Sequence, residues 1–235
     1  MTKINIYLVR HGQTYYNIYN KLQGWSNSPL TDQGYQDAEK AGQRLKDVHF
    51  DAAFCSDLTR AVETAQTILD ENKADSVKEP TTAPYFREEF YGSYEGTYMD
   101  QAWYNAGAPH GLKTFKDIVT KYNIDTAKDW LKDADPFHDA ENSTEYWKRM
   151  NEGLAIIRDA GLPDGANVLL VSHGNTCLSL IERFGEGKYD ITERPANGSL
   201  SKLVMDGDWV SVEFYNHAVC KIKLEKLKKS FVIDF

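Results

Sequence analysis

The sequence predicts an α/β fold with a mostly parallel sheet and an antiparallel edge. Three observations predict it. Apolar runs of strand length alternate with stretches of helical periodicity, the order expected of parallel strands joined by crossover helices. One run, Asn167 to Ser172, is almost continuously apolar, as a strand buried on both faces must be. Near the end of the chain two runs, Leu200 to Met205 and Trp209 to Phe214, are joined by Asp206-Gly207-Asp208, a strong hairpin signal.

The elements follow in order. Ile4 to Val9 is a strand that ends abruptly in Arg10-His11-Gly12. Tyr15 to Pro29 is irregular. Thr31 is placed to cap a helix over Asp32 to Lys46, with Tyr35, Ala38, Ala41, Gly42 and Leu45 on one face. Ala52 to Cys55 is a short strand, and Ser56 caps a helix from Asp57 to about Leu69. Residues 71–84 connect, with a short strand near Val77. Residues 85–96 place two acids, Glu88 and Glu89, among five aromatics. Residues 97–141 form an insertion with helical stretches around 98–105, 114–122 and 126–132, punctuated by glycine and proline. The insertion is too short for a core of its own and reads as a lid. Its Trp103, Tyr104, His110, Lys113 and Phe115 either line a substrate entrance or pack the lid onto the body; His49 and His138 read as surface residues. Asn142 or Ser143 caps a helix over 144–160, ended by Gly161. The strand 167–172 closes in Ser172-His173-Gly174, and a helix follows to Phe184. A last strand is expected over 218–224, before a tail with no assigned role.

Composition bounds the function. A chain of 235 residues, 41% hydrophobic, suits one large domain with an insertion. A net charge of −8 and a pI of 5.3 argue against nucleic acid as a partner. There is no apolar run of roughly 18 residues to span a membrane, and the N-terminus lacks the shape of a signal peptide. Three widely separated cysteines, Cys55, Cys177 and Cys220, fit reduced thiols and a cytoplasmic location. No metal-ligand spacing occurs, so neither a metal nor another cofactor is expected.

The chemistry concentrates where strands end. Arg10 offers a planar fork of donors suited to a phosphoryl group. His11 is a nucleophile or acid–base whose free pKa lies near neutrality. Gly12 allows a sharp turn and close approach to a ligand. The strand-His-Gly pattern recurs at His173-Gly174, and ligands of such sheets bind beyond the carboxyl ends of the strands. Arg60, in the first turn of its helix, would by itself be a solvated arginine; it gains interest because a second cation is wanted near His11. The acids 88 and 89 would by themselves be solvated members of a covering loop, but a carboxylate held among rings loses hydration and its pKa rises.

With these residues placed, a resemblance becomes specific. Arg10-His11-Gly12-Gln13-Thr14-Tyr15-Tyr16-Asn17 is similar to the R-H-G-E/Q-S/T-x-x-N signature of the histidine phosphatase superfamily, the phosphoglycerate-mutase-like proteins. Leu22-Gln23-Gly24-Trp25 through Pro29-Leu30-Thr31, Ser56-Asp57-Leu58-Thr59-Arg60-Ala61, Arg87-Glu88 with Tyr91-Gly92 and Glu95-Gly96, and Val171-Ser172-His173-Gly174 resemble its later motifs in order. The resemblance implies a three-layer α/β/α sandwich with a helical lid. It implies that His11 attacks phosphorus and becomes phosphohistidine, that Arg10, Arg60 and His173 surround the equatorial oxygens, and that Glu88 protonates the leaving oxygen. Asn17, Gln23, Gly174 and the backbone near Gly12 and Gly24 would help hold the phosphate. Glu88 is preferred to Glu89 by its spacing to Gly92. A protonated Glu88 implies activity that falls at alkaline pH.

Within that family the mutase branch carries an E-R-H-Y-G segment. Here it reads Glu88-Glu89-Phe90-Tyr91-Gly92, with an acid in place of the arginine. The mutases' P-T-G-x-P stretch is replaced by Pro195-Ala196-Asn197-Gly198-Ser199, closer to the phosphatase branch. The expected activity is hydrolysis of a small phosphomonoester with inorganic phosphate as product. A bisphosphoglycerate-dependent mutase is the alternative, favoured mildly by the insertion, and a phospho-ligand-binding module without turnover is a third.

Overall fold

The computed structural model describes residues 2–217. Cys220, the strand expected over 218–224 and the tail lie outside the described residues. A sheet of six strands is formed by β1 (Lys3–Arg10), β2 (Ala52–Cys55), β3 (Thr81–Thr82), β4 (Ala166–Ser172), β5 (Leu200–Asp206) and β6 (Trp209–His217). Their spatial order is β3-β2-β4-β1-β5-β6, the first four parallel and β5 and β6 antiparallel. The helices are α1 (Tyr15–Ile18), α2 (Asp32–Leu45), α3 (Thr59–Asp70), α4 (Met99–Gly107), α5 (Phe115–Lys121), α6 (Ile124–Ala134), α7 (Ser143–Arg158) and α8 (Gly174–Phe184).

The alternation of side chains along the strands divides the core into two layers. Ile4, Ile6 and Leu8 of β1 join Val168 and Leu170 of β4 against α7 and α8. Val9 and the intervening Leu169 and Val171 face α2 and α3 on the other side. The result is an α/β/α sandwich. The helices α4, α5 and α6 share a third apolar cluster that includes Leu22, Tyr91, Tyr94 and Leu178 of the body. Trp103 and Phe115 are buried in that cluster, while Tyr104, His110 and Lys113 are exposed.

Several local expectations are corrected. The edge strand forms at Thr81–Thr82, opposite Phe54 and Cys55, not near Val77, where the Val77 N–H donates to the Phe50 carbonyl but the Phe50 N–H turns to the Ser76 hydroxyl and no ladder continues. Helix α3 starts at Thr59 and has no side-chain cap. Ser56 instead accepts from the Leu58 N–H, and Asp57 is held by a two-pronged pair with Arg87 at 2.6 and 2.7 Å. Tyr35 leaves the buried face of α2 and is 41% exposed.

Gly12 is absent from the residues with left-handed backbone, so a sharp turn is not its reason. A Cβ there would lie 2.1 Å from the Gly34 carbonyl oxygen, and one on Gly34 would lie 2.1 Å from that of Gln13. The two glycines let the N-terminal turn of α2 press directly on the loop after β1. Gly34→Ala therefore forces backbone apart and is expected to cost at least about 1–3 kcal/mol, the range for overpacking. Urea denaturation checks this; a loss below ~0.5 kcal/mol with unchanged activity would show that the contact is dispensable.

Candidate active site

Register brings the site together. Arg10 pairs with Ser172 across the β1–β4 ladder, so the two strands end level, and the His11 N–H donates to the Ser172 carbonyl at 3.0 Å. The next residue on each strand is a histidine, and the two rings lie 5.2 Å apart between centroids. His11 Nδ1 lies 2.7 Å from the Gly12 carbonyl oxygen. A carbonyl only accepts, so Nδ1 carries the proton and the lone pair is on Nε2. Nε2 is thus the ring nitrogen of His11 with a free lone pair.

The surroundings are cationic and dry. Arg10, Arg60, His11 and His173 are all buried. Arg10 Nη1 donates to the Pro195 carbonyl, while Nε has no partner. Arg60 donates to the carbonyls of Gln23, Gly24 and Ser26 at 3.2, 2.7 and 2.9 Å, and its Nε too is without a partner. Both ring nitrogens of His173 are buried without a partner. Burial lowers both guanidinium pKa values to about 10, which leaves them charged at neutral pH. Burial, and then Arg60, hold both imidazoles well below the usual histidine value, so they are neutral. Positive charge and unpaired donors crowded in one place suit a compact anion.

Glu88 lines the same cleft as Arg10 and His11. Its carboxylate caps α8: Oε2 accepts from the Asn175 N–H at 2.7 Å, and Oε1 from the Thr176 N–H at 2.9 Å, the Thr176 hydroxyl at 3.0 Å and the Glu89 N–H at 3.1 Å. The surroundings expected to be rings are thus backbone donors at a helix N-terminus. The segment before it is clamped by Arg149, which donates to the carbonyls of Tyr85, Arg87 and Glu88 and pairs with Glu141. The acid that burial pushes up, to about 8, is Glu89. It is fully buried and does not line the cleft, so the acid that stands where the mutase segment has an arginine is not part of the cleft wall.

Of the residues singled out from sequence, Arg10, His11, Asn17, Gln23, Glu88 and Gly174 line the cleft. Arg60, His173, Gly12 and Gly24 stand behind it. The Gly12 N–H donates to the Thr64 hydroxyl at 3.0 Å, and the Gly24 N–H to Glu95 at 3.1 Å. These two N–H groups are therefore already taken by side chains. Gly24 serves packing, since a Cβ would lie 2.1 Å from the Glu89 carbonyl oxygen. Gln23 accepts from the Thr14 hydroxyl, and Asn17 completes a capping box with Thr14.

Sequence reasoning missed four contributors. Glu95 accepts from the N–H groups of Gly24, Trp25 and Ser26 while Arg60 holds the carbonyls of the same loop. Asn197 donates to the His11 carbonyl at 3.0 Å and to Asn17 at 3.2 Å. Lys21 and Arg194 add two cations to the cleft wall. All four lie inside or beside stretches singled out from sequence, but nothing in residue type separated them from ordinary surface residues. Among the described residues, no group of three or more His, Cys, Asp or Glu side chains is placed to hold a metal, and no helix is long and apolar enough to cross a membrane.

The family profile described as the histidine phosphatase superfamily (branch 1) matches residues 6–110 and 104–218. Fructose-2,6-bisphosphatase TIGAR B of Danio rerio is 33% identical over 179 residues, 71% of this chain and 69% of that protein. The 2,3-bisphosphoglycerate-dependent phosphoglycerate mutase 2 of Lactiplantibacillus plantarum is 26% identical over 202 residues, 74% of this chain and 80% of that one. A crystal structure of phosphoglycerate mutase from Bacillus anthracis superposes with a TM-score of 0.82 at 31% identity, covering 92% of this chain and 93% of that chain.

Two neutral buried imidazoles have a consequence for stability. Each would bind a proton below pH 6.5 in the unfolded chain but not in the folded one. Stability therefore falls as pH drops below about 6.5, with a limiting slope of about 1.4 kcal/mol per pH unit for each ring. His173→Gln should remove about one proton from that slope. Melting curves from pH 7.5 to 5 check this, and an unchanged slope in the variant would contradict a neutral, buried His173.

Proposed function

For this chain, which belongs to the histidine phosphatase superfamily (branch 1), we propose hydrolysis of a small phosphomonoester through a phosphohistidine. The observation that carries the reading is the His11 Nδ1 contact with the Gly12 carbonyl, which leaves Nε2 as a lone pair beside Arg10, Arg60 and His173.

The steps follow from that geometry. His11 Nε2 attacks phosphorus as the bond to the leaving oxygen breaks, and Nδ1–H bonded to Gly12 supports the charge that develops on the ring. Arg10, Arg60 and His173 meet the negative charge on the equatorial oxygens. Glu88 gives a proton to the leaving alkoxide; Oε2, with one donor against the three on Oε1, is the oxygen free to carry it. Water then attacks the phosphohistidine, Glu88 takes its proton, and phosphate leaves. Covalent capture divides one difficult displacement into two. Residues 97–141, expected to be a lid, contribute no residue to the cleft lining; their helices pack on Leu22, Tyr91, Tyr94 and Leu178 beside it. The relatives named as a bisphosphatase and a bisphosphoglycerate-dependent mutase, together with Lys21 and Arg194 on the cleft wall, favour a substrate with a second anionic group.

His11→Ala is expected to reduce phosphate release from p-nitrophenyl phosphate by roughly a thousandfold or more, and to abolish acid-labile labelling by a radioactive substrate. Glu88→Gln should cost roughly 10²–10⁴-fold with alkyl phosphates, and far less with p-nitrophenyl phosphate, whose leaving group needs no proton. Equal losses on both substrates would remove Glu88 from the acid role.

The mutase reading is favoured by the Bacillus anthracis structure and by a Glu89 turned away from the cleft. Incubation with 3-phosphoglycerate and a bisphosphoglycerate primer separates the two. Release of phosphate without rapid 2-phosphoglycerate formation is expected. Arg194→Ala should raise KM for a bisphosphorylated substrate roughly tenfold, the scale of one lost charge-assisted bond, and change KM for a simple monophosphate little. An equal effect on both would assign Arg194 to packing on Met99 and Phe115, which its guanidinium touches.

A further inference from the structure

Glu89 is a buried acid for which the proposed reaction has no use. Its Oε2 accepts from Asn175 Nδ2 at 2.6 Å. Its other oxygen, Oε1, and the Asn175 Oδ1 are both buried and both without a partner. Two planar groups already joined by one short bond thus each retain one unanswered acceptor. A carboxylic acid and a primary amide satisfy both at once, with one N–H···O and one O–H···O bond, provided that the acid is neutral. An ionised carboxylate would leave both oxygens unpaired in a site without water access, at a cost of the order of 1–3 kcal/mol for each.

The groups around it argue the same way. Glu88 is its neighbour in sequence, and the charges of Glu88 and Glu141 oppose ionisation. Lys128 opposes them, but it makes no ion pair with Glu89 among the described residues. Lys128 Nζ donates to Ser179 Oγ at 2.8 Å, lies 3.4 Å from Asp125 and sits 4.6 Å over the Tyr146 ring. Its charge is answered by Asp125. Burial outweighs these charges, and the carboxyl titrates at about 8.

We propose that Glu89 is held as the neutral acid, its Oε1–H donating to Asn175 Oδ1, and that this pair positions Glu88. The link is direct. The Asn175 N–H is the one donor on Glu88 Oε2, the oxygen free to carry the proton, and the Glu89 N–H is a donor on Oε1. Glu89 therefore sets both oxygens of Glu88, one through its own backbone and one through Asn175. It is a positioning residue, since it touches neither the cleft nor the reacting atoms. Its effect on turnover rests on the reaction proposed above; its protonation state does not.

Glu89→Gln tests both halves, because an amide makes the same two bonds at every pH. A folded pKa of about 8 against an ordinary glutamate value of 4.5 means that the folded chain holds a proton which the unfolded chain has released. That contribution to stability is complete below pH 4.5 and is lost as pH rises to 8. The melting temperature of Glu89→Gln should therefore rise relative to wild type across that window and level off above it. The ratio of the variant's kcat to the wild type's should also climb as pH passes about 8. Glu89→Ala should lower kcat roughly ten- to hundredfold with KM little changed, and Glu89→Gln should restore it near pH 6.5. A difference in melting temperature that does not vary from pH 5 to 9, or a Gln variant as damaged as the Ala variant at every pH, would overturn the neutral acid. The expected melting behaviour with no change in the kcat ratio would overturn the positioning role alone. If His11→Ala left activity intact, the reaction would fall while the melting test of Glu89 still stood.

Discussion

The structure depends on one juxtaposition: two guanidiniums and two imidazoles packed together, out of water, at the level ends of β1 and β4. Such a group is costly to assemble. Desolvation and mutual repulsion both oppose it, and the depressed pKa values of all four side chains reflect that opposition. It persists because parallel hydrogen bonding fixes the register of the strands and because two glycines let α2 lock the loop that follows β1. An anion entering the cleft turns repulsion into attraction. The cost of the free arrangement and the attraction it offers a compact anion thus have the same origin.

Around that centre, fixed charges hold backbone. Arg60 takes the carbonyls and Glu95 the amides of residues 23–26, so the loop is gripped from both sides. Arg149 and Glu141 do the same for residues 85–90. Glu88 caps α8 and lines the same cleft as His11. One carboxylate therefore ties the candidate acid to the helix that begins at His173-Gly174. Arg60 and Glu88 thus hold backbone as well as standing at or behind the cleft, which leaves few positions there where a substitution would leave the structure untouched.

The limits of sequence reasoning here are physical. Periodicity exposes which residues face the core, and it served well for β1, β4, α7 and α8. It is blind to a polar residue buried for its partners. Arg60 lies off the apolar stripe of α3, and by pattern alone belongs in solvent; its burial is decided by three carbonyls from a loop some 35 residues earlier. From sequence Glu89 is only the second choice for the acid, because the surroundings that bury it are made by Asn175 of α8 and Lys128 of α6. Gly12 was read as a turn, whereas its need for no side chain comes from Gly34. The edge strand lies at Thr81–Thr82 because its pairing is with Phe54 and Cys55, a long-range choice that residues 71–84 do not display by themselves.

The sequence by itself determined the α/β class, the antiparallel edge, the family and the two strand-His-Gly ends, because each is written in local periodicity or in short ordered motifs. Tertiary structure alone decided which buried donors remain unpaired, that Glu88 caps α8 and that Glu89 bonds to Asn175. Those outcomes depend on distances between residues far apart in the chain, and on the removal of water from between them.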